Sequence, residues 1–219
     1  MNRTKYSRTY HLNWSHLHSD DKRLPSTDPF MGQEIVVLEK LDGENTTMYS
    51  DGYLHARSLD SRHNYTRDWA KKMASILCHD IPQGYRFVFE NMAYYHSIEY
   101  NDLESFCYLL SIWDQDNVCL SYDDTLEYAE LLDLAMPKEL YRGIFDESIL
   151  RELSSTMDLK TMEGYVIRRT CAFHQDDFQA HVAKFVREGH VQQDSEHWLK
   201  STYPNKLSTT KKIKPFYMA

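Results

Sequence analysis

The chain has 219 residues, 42% of them hydrophobic and 26% charged, with a formal net charge of −8 at neutral pH. That length supports one well-buried core and at most a small second domain. With no apolar run near membrane-span length, no secretory leader, no repeat and no low-complexity block, the expectation is a soluble, intracellular, single-domain protein rather than a membrane, fibrous or solenoid one.

In chain order, residues 1–9 are polar and read as a frayed leader, and His11, His16 and His18 in the next stretch fit no common metal-ligand spacing. The β-branched run Ile35-Val36-Val37-Leu38 predicts a buried strand that delivers Glu39 and Lys40 at its end, and Asp42-Gly43 then supplies turn chemistry. Thr46 to Tyr49 and Tyr53 to Ser58, separated by Asp51-Gly52, predict a further antiparallel pair. Between Asn64 and Cys78 the apolar residues Trp69, Met73, Ile76 and Leu77 recur at helical spacing.

Tyr85 to Glu90 reads as the next strand, and Phe106 to Asp114 as a central one whose alternation sets Phe106, Tyr108, Leu110 and Ile112 on one face. A helix is expected from Asp123-Asp124 to the stop at Pro137, and another from an N-cap at Asp146. Gly164 to Arg169 and His181 to Val186 predict two closing strands, which present Glu163 and Lys184. Cys78, Cys107, Cys119 and Cys171 lack the paired spacing of a zinc site or disulfide frame, so they read as free thiols.

Lys40-Leu41-Asp42-Gly43, Arg57-Ser58, Glu90 after an apolar strand, Phe106 to Trp113, Glu163-Gly164-Tyr165-Val166 and Ala183-Lys184-Phe185-Val186 follow one another in an ordered set. This set resembles the covalent nucleotidyltransferases, and most closely the small ATP-dependent RNA ligases of phage type. The tyrosine-rich Asn91 to Tyr100, Gly189 to Gln192, His197-Trp198 and Pro204 to Leu207 extend the likeness to about residues 10–207.

The resemblance implies an α/β (α+β) nucleotidyltransferase domain over residues 1–207, with antiparallel sheets lining a nucleotide cleft and helices outside, followed by a basic tail over residues 208–219. It implies ATP and Mg²⁺ (or Mn²⁺) as cofactors, and RNA bearing 5′-phosphate and 3′-hydroxyl ends, or an RNA/DNA hybrid, as substrate of a monomeric cytoplasmic enzyme. By that resemblance Lys40 is the nucleophile, Asp42 positions it or a metal-bound water, Lys184 contacts the α-phosphate, and Glu163 with Glu90 serves the metal. Glu90 also accepts from a ribose hydroxyl, Glu39 reads the adenine amino group, Arg57 meets ribose or phosphate, and Asn45 serves the sealing step. Tyr108 or Phe106 stacks on adenine, because Leu110 stands where a phenylalanine is common.

A lysine suits this chemistry because the phosphoramidate P–N bond is labile enough to pass AMP onward. The amine must be neutral to attack, so the setting of Lys40 is expected to lower its pKa. Val182 departs from the family pattern of two lysines in the last motif. Arg3, Lys5 and Arg8 at one end, and Lys200, Lys206, Lys211, Lys212 and Lys214 at the other, give basic termini that a phosphate backbone can use despite the acidic total. A GTP-using capping guanylyltransferase and a non-catalytic nucleic-acid-binding protein are the alternatives.

Overall fold

Two β-sheets face each other across a cleft, and the chain crosses between them directly after Lys40. The structure, a computed structural model, describes residues 3–158, 160–188 and 203–218. The strands are β1 (Tyr10–His11), β2 (Glu34–Lys40), β3 (Glu44–Tyr49), β4 (Leu54–Ala56), β5 (Arg86–Asn91), β6 (Cys107–Trp113), β7 (Val118–Cys119), β8 (Glu139–Ile144), β9 (Gly164–Arg169), β10 (Phe173–His174) and β11 (Val182–Val186). The helices are α1 (Asp68–Leu77), α2 (Tyr122–Leu131), α3 (Glu147–Thr156) and α4 (Phe178–His181).

The first sheet has the order β1-β11-β9-β2-β8 and the second β10-β7-β6-β5-β3-β4, all antiparallel except for the parallel pair of β1 and β11. The expected mixed fold with antiparallel sheets and few covering helices is therefore the one found. Ile35, Val37, Tyr165, Ile167 and Phe185 pack on the outer side of the first sheet with Phe145 and Leu150 at α3. Met48, Phe87, Phe89, Leu109 and Ile112 pack on the outer side of the second against Ala70, Met73 and Leu77 of α1. A third cluster, including Val88, Trp113, Phe178 and Val182, joins the inner faces.

Several local expectations change. Asp42-Gly43 is not a hairpin turn, since β2 and β3 lie in different sheets. Gly43 is required by crowding, because a Cβ there would meet Asn91 O at 2.5 Å and Met92 Sδ at 2.6 Å. The alternation along β6 breaks as well. Val88 pairs with Ser111 and Phe89 with Leu109, so Leu110 is an extra residue in a β-bulge and Ile112 turns to the outer core with Cys107 and Leu109. Helix α2 starts on a Ser121 cap and ends at Leu131, well before Pro137, with Asp133 at φ 53° reversing the chain. Asp146 does cap α3, its side chain accepting from Ser148 N–H.

Strand β8 was not foreseen, because it pairs only with β2 and none of its residues is buried. Residues 3–9 are not a frayed leader. Arg3 lies over the Tyr49 and Tyr53 rings, Thr4 N–H donates to Tyr49 Oη, and Tyr6 packs edge-on against Phe178.

Candidate active site

Lys40 stands where the two sheets meet. Cross-strand pairing sets Lys40 beside Gly164 in one sheet and Asn45 beside Glu90 in the other, so Leu41 to Gly43 bridges the two halves of the site. Lys40 Nζ donates to Glu163 Oε2 over 2.5 Å, with the Glu163 side chain 5% exposed. Gly43 N–H donates to Glu90 Oε1 at 3.2 Å. The Asp42 carboxylate turns away to a loop, accepting from Ser97 N–H and Oγ–H, both at 2.7 Å, and from Ile98 N–H at 3.0 Å. Asp42 N–H in turn donates to Tyr100 Oη at 3.2 Å, which pins the loop to the crossover.

The electrostatics differ from the expectation for Lys40. Burial works to lower its pKa, but Glu163, Glu90 and Asp42 outweigh it and hold the amine above the ordinary lysine value. Glu90 is pushed up to about 8, chiefly by burial and further by Glu163 and Asp42, so at neutral pH it is largely protonated. Lys184 is shifted down by burial and by Lys40. Anything that takes up the negative charge of Glu163 and Glu90 leaves burial as the dominant influence on Lys40, and burial favours the neutral amine.

A cleft of about 440 Å³ opens between the sheets, lined among others by Glu39, Lys40, Asn45, Arg57, Glu90 and Lys184. These expected residues are thereby brought to one space. Asn45 Oδ1 is buried with no hydrogen-bond partner among the described residues. Tyr108 and Phe106 are not among the lining residues. Tyr108 is 7% exposed and packs with Leu41, Met92 and Ala135, and Phe106 meets Trp69 edge-on. The apolar residues that do line the cleft from the two sheets include Leu110, delivered by the bulge, and Val166 on β9.

Val182 sits opposite Arg168, two pairs along from the Lys184–Val166 pair and four from Val186–Gly164. It is 4% exposed within the apolar cluster of Trp113 and Phe178, at the end of the strand remote from Lys40. Arg187 lies beyond the strand, its N–H donating to Glu163 O at 3.1 Å. The segments Gly189 to Gln192 and His197-Trp198 lie outside the described residues.

Three features escaped the sequence reading. Asp21 lies 3.7 Å from Lys184 Nζ and 3.2 Å from His11 Nε2, forming a part-buried cation–carboxylate–imidazole contact in the cleft wall. Arg168 is 4% exposed, donates to Leu120 O and keeps Nε and Nη1 without hydrogen-bond partners among the described residues. Its signal was an arginine directly after the apolar run Tyr165 to Ile167 on the same strand. Tyr6, Ser7, Arg8 and Thr9 line the cleft from the leader, and of these only Arg8 is marked in the sequence, as one of its basic terminal residues.

Among the described residues no three His, Cys, Asp or Glu side chains converge as metal ligands. Mg²⁺ and similar hard cations need only one or two carboxylates and keep waters elsewhere. Glu163 and Glu90 meet that need, because the Glu163 carboxylate disfavours the charged form of Glu90 and a divalent cation relieves that opposition.

The RNA ligase family model matches residues 33–186, from the start of β2 to the end of β11. No curated protein matches the chain in sequence. Among solved structures, a Naegleria gruberi RNA ligase mutant with ATP and Mn is similar at a TM-score of 0.60 and 14% identity, over 85% of this chain and 57% of that one. The same ligase with PPi gives 0.59 and 15%, over 88% of this chain and 58% of that one, and a mutant with AMP and Mn gives 0.58 and 16%, over 85% and 57%. The chain spans less than two thirds of these structures' length. The sheets, the crossover at Lys40 and the matched span that holds Lys40, Glu90, Glu163 and Lys184 lead to one placement: the chain belongs to the RNA ligase family.

Proposed function

We propose that this protein joins RNA ends in an ATP-dependent reaction through lysyl-AMP and RNA-adenylate intermediates. The observation that carries this reading is the Lys40 amine, held 2.5 Å from Glu163 at the junction of two sheets, in one cleft with a second part-buried lysine, Lys184. In the first step Lys40 Nζ attacks the α-phosphorus of ATP, a P–N bond forms and the P–O bond to pyrophosphate breaks. Glu163 is the group within reach of the proton that the amine must lose. In the second step an RNA 5′-phosphate oxygen displaces Lys40 from that phosphorus. In the third a 3′-hydroxyl attacks the activated 5′-phosphate and AMP leaves.

Lys184 neutralises charge at the α-phosphate throughout, acting by fixed electrostatic stabilisation. Leu110 and Val166 replace Tyr108 in our assignment of the adenine site, being the apolar groups that line the cleft from opposite sheets. Arg57 contacts the ribose or phosphate, Glu39 the base, and Asn45 the strand being sealed. A divalent cation, Mg²⁺ or Mn²⁺, would be held by Glu163 and Glu90 and would offset the triphosphate charge. Incubating the protein with α-labelled ATP or GTP and a divalent metal, then with 5′-phosphorylated RNA, tests the reading. Label on Lys40 from ATP followed by transfer to RNA is expected; label from GTP alone would turn the assignment to a capping enzyme, and no label from either would overturn it.

A further inference from the structure

Residues 3–9 run as a strap between the two sheets. At one end Arg3 lies 4.4 Å from the Tyr49 ring centroid and 4.2 Å from that of Tyr53, and pairs with Asp51. At the other end Gln179 Nε2 donates to Arg8 O at 2.9 Å, just before β1 joins the first sheet. The strap encloses, with Arg57 and Ser58, a second groove of about 450 Å³ lined by Lys5, Tyr6, Ser7 and Arg8. Tyr6, Ser7, Arg8 and Arg57 line the nucleotide cleft too, so the groove is continuous with it.

The charge of this groove is unbalanced. Lys5 and Arg57 make no hydrogen bond or ion pair among the described residues, and Arg8 is held by Asp20, donating to its carbonyl at 2.5 Å and its carboxylate at 3.4 Å. Asp60, which lies near Lys5, accepts from the Ser58 hydroxyl, and Asp21 is engaged with Lys184 and His11. Burial and the adjacent Arg8 guanidinium lower the pKa of Arg57 by more than Tyr6, Asp20 and Asp21 raise it, so the acids near this guanidinium do not fully offset its setting. The basic C-terminal residues are the opposite case. Lys211, Lys212 and Lys214 are paired with Asp102, Asp133 and Glu104.

We propose that Lys5, Arg8 and Arg57 form the landing site for the 5′-phosphate end of the RNA, gripping the terminal phosphate and the next phosphodiester. The inference rests on the RNA-joining reading above. A polymer must enter and leave, which suits a groove that is open to solvent along the strap, whereas the cleft takes the nucleotide. The basic leader is thus the RNA grip, in place of the basic tail.

The test compares the parent protein with a Lys5→Ala/Arg8→Ala double variant and a Lys211→Ala/Lys212→Ala control. Lysine adenylylation is followed with α-labelled ATP, and binding of 5′-phosphorylated and 5′-hydroxyl RNA across a salt series. Each Lys or Arg phosphate contact contributes roughly 0.7–0.9 to the log–log salt slope. The double variant is therefore expected to bind 5′-phosphorylated RNA about tenfold more weakly at low salt, with a slope flatter by about one to two units. A Lys5→Ala single variant, at a residue that lines only the outer groove, keeps adenylylation within about twofold of the parent, and the control matches the parent in both. Unchanged RNA binding in the double variant, or lost adenylylation with RNA binding intact, overturns the assignment. A parent that takes no label from ATP fails the RNA-joining reading instead, while the binding series still decides the groove.

Discussion

Lys40 and Glu163 are 123 residues apart in sequence and 2.5 Å apart in space, and that hydrogen bond keeps the Lys40 amine protonated until the carboxylate is otherwise engaged. The pair is mostly buried, with side-chain exposures of 22% and 5%. Truncating either partner leaves an uncompensated charge, and such losses run to about 3–5 kcal/mol when fully buried.

Lys40→Ala is expected to abolish covalent AMP attachment and overall joining while leaving measurable sealing of RNA that already carries a 5′-adenylate, because the sealing step forms and breaks no bond to the amine. Single-turnover assays on both substrates check this. Label from ATP persisting on Lys40→Ala would place the nucleophile elsewhere.

Glu163→Ala should lose lysine adenylylation and destabilise the fold by about 2–4 kcal/mol, whereas Glu163→Gln, which keeps a hydrogen-bond acceptor, restores most of the stability and not the activity. Urea unfolding alongside adenylylation separates the two effects. Full activity in Glu163→Gln would remove the carboxylate from the mechanism.

His11 is 1% exposed, and burial followed by the charge of Lys184 lowers its pKa from 6.5 to about 4. Between those values the unfolded chain binds a proton that the native state refuses, so stability is full above pH 6.5 and falls as pH drops toward about 4. The loss is on the order of 3 kcal/mol. His11→Gln should show a shallower decline in urea midpoint over that window; an identical decline would mean that other groups carry it.

Asn205 is 3% exposed, its Oδ1 accepts from Tyr100 N–H at 3.0 Å and its Nδ2 donates to Met92 O at 2.8 Å. It thereby braces the loop whose Ser97 and Ile98 hold Asp42. Asn205→Ala should cost about 2 kcal/mol and slow adenylylation, and deletion of residues 204–219 should reduce adenylylation and RNA sealing together. Thermal melts with step-resolved kinetics decide; a sealing-only defect after deletion would return the RNA grip to the tail.

Much of this was readable along the chain. The run Ile35 to Leu38 is apolar and β-branched because both of its faces are covered, so a buried strand ending at Lys40 was legible, as were α1 from its helical spacing and the Asp146 cap. The ordered motifs pointed to the family because covalent nucleotidyl transfer needs a lysine, carboxylates and a second cation in one cleft. Periodicity carries no sign of a partner that lies in another sheet. That Asp42-Gly43 crosses between sheets, that the bulge turns Leu110 rather than Tyr108 into the cleft, and that β8 forms at an exposed edge are decided by pairing between distant segments. Charge is equally silent in one dimension. Lys211 to Lys214 and Lys5 to Arg8 look alike as basic ends, and only the fold pairs the first with acids while leaving Lys5 and Arg57 without an ion pair among the described residues.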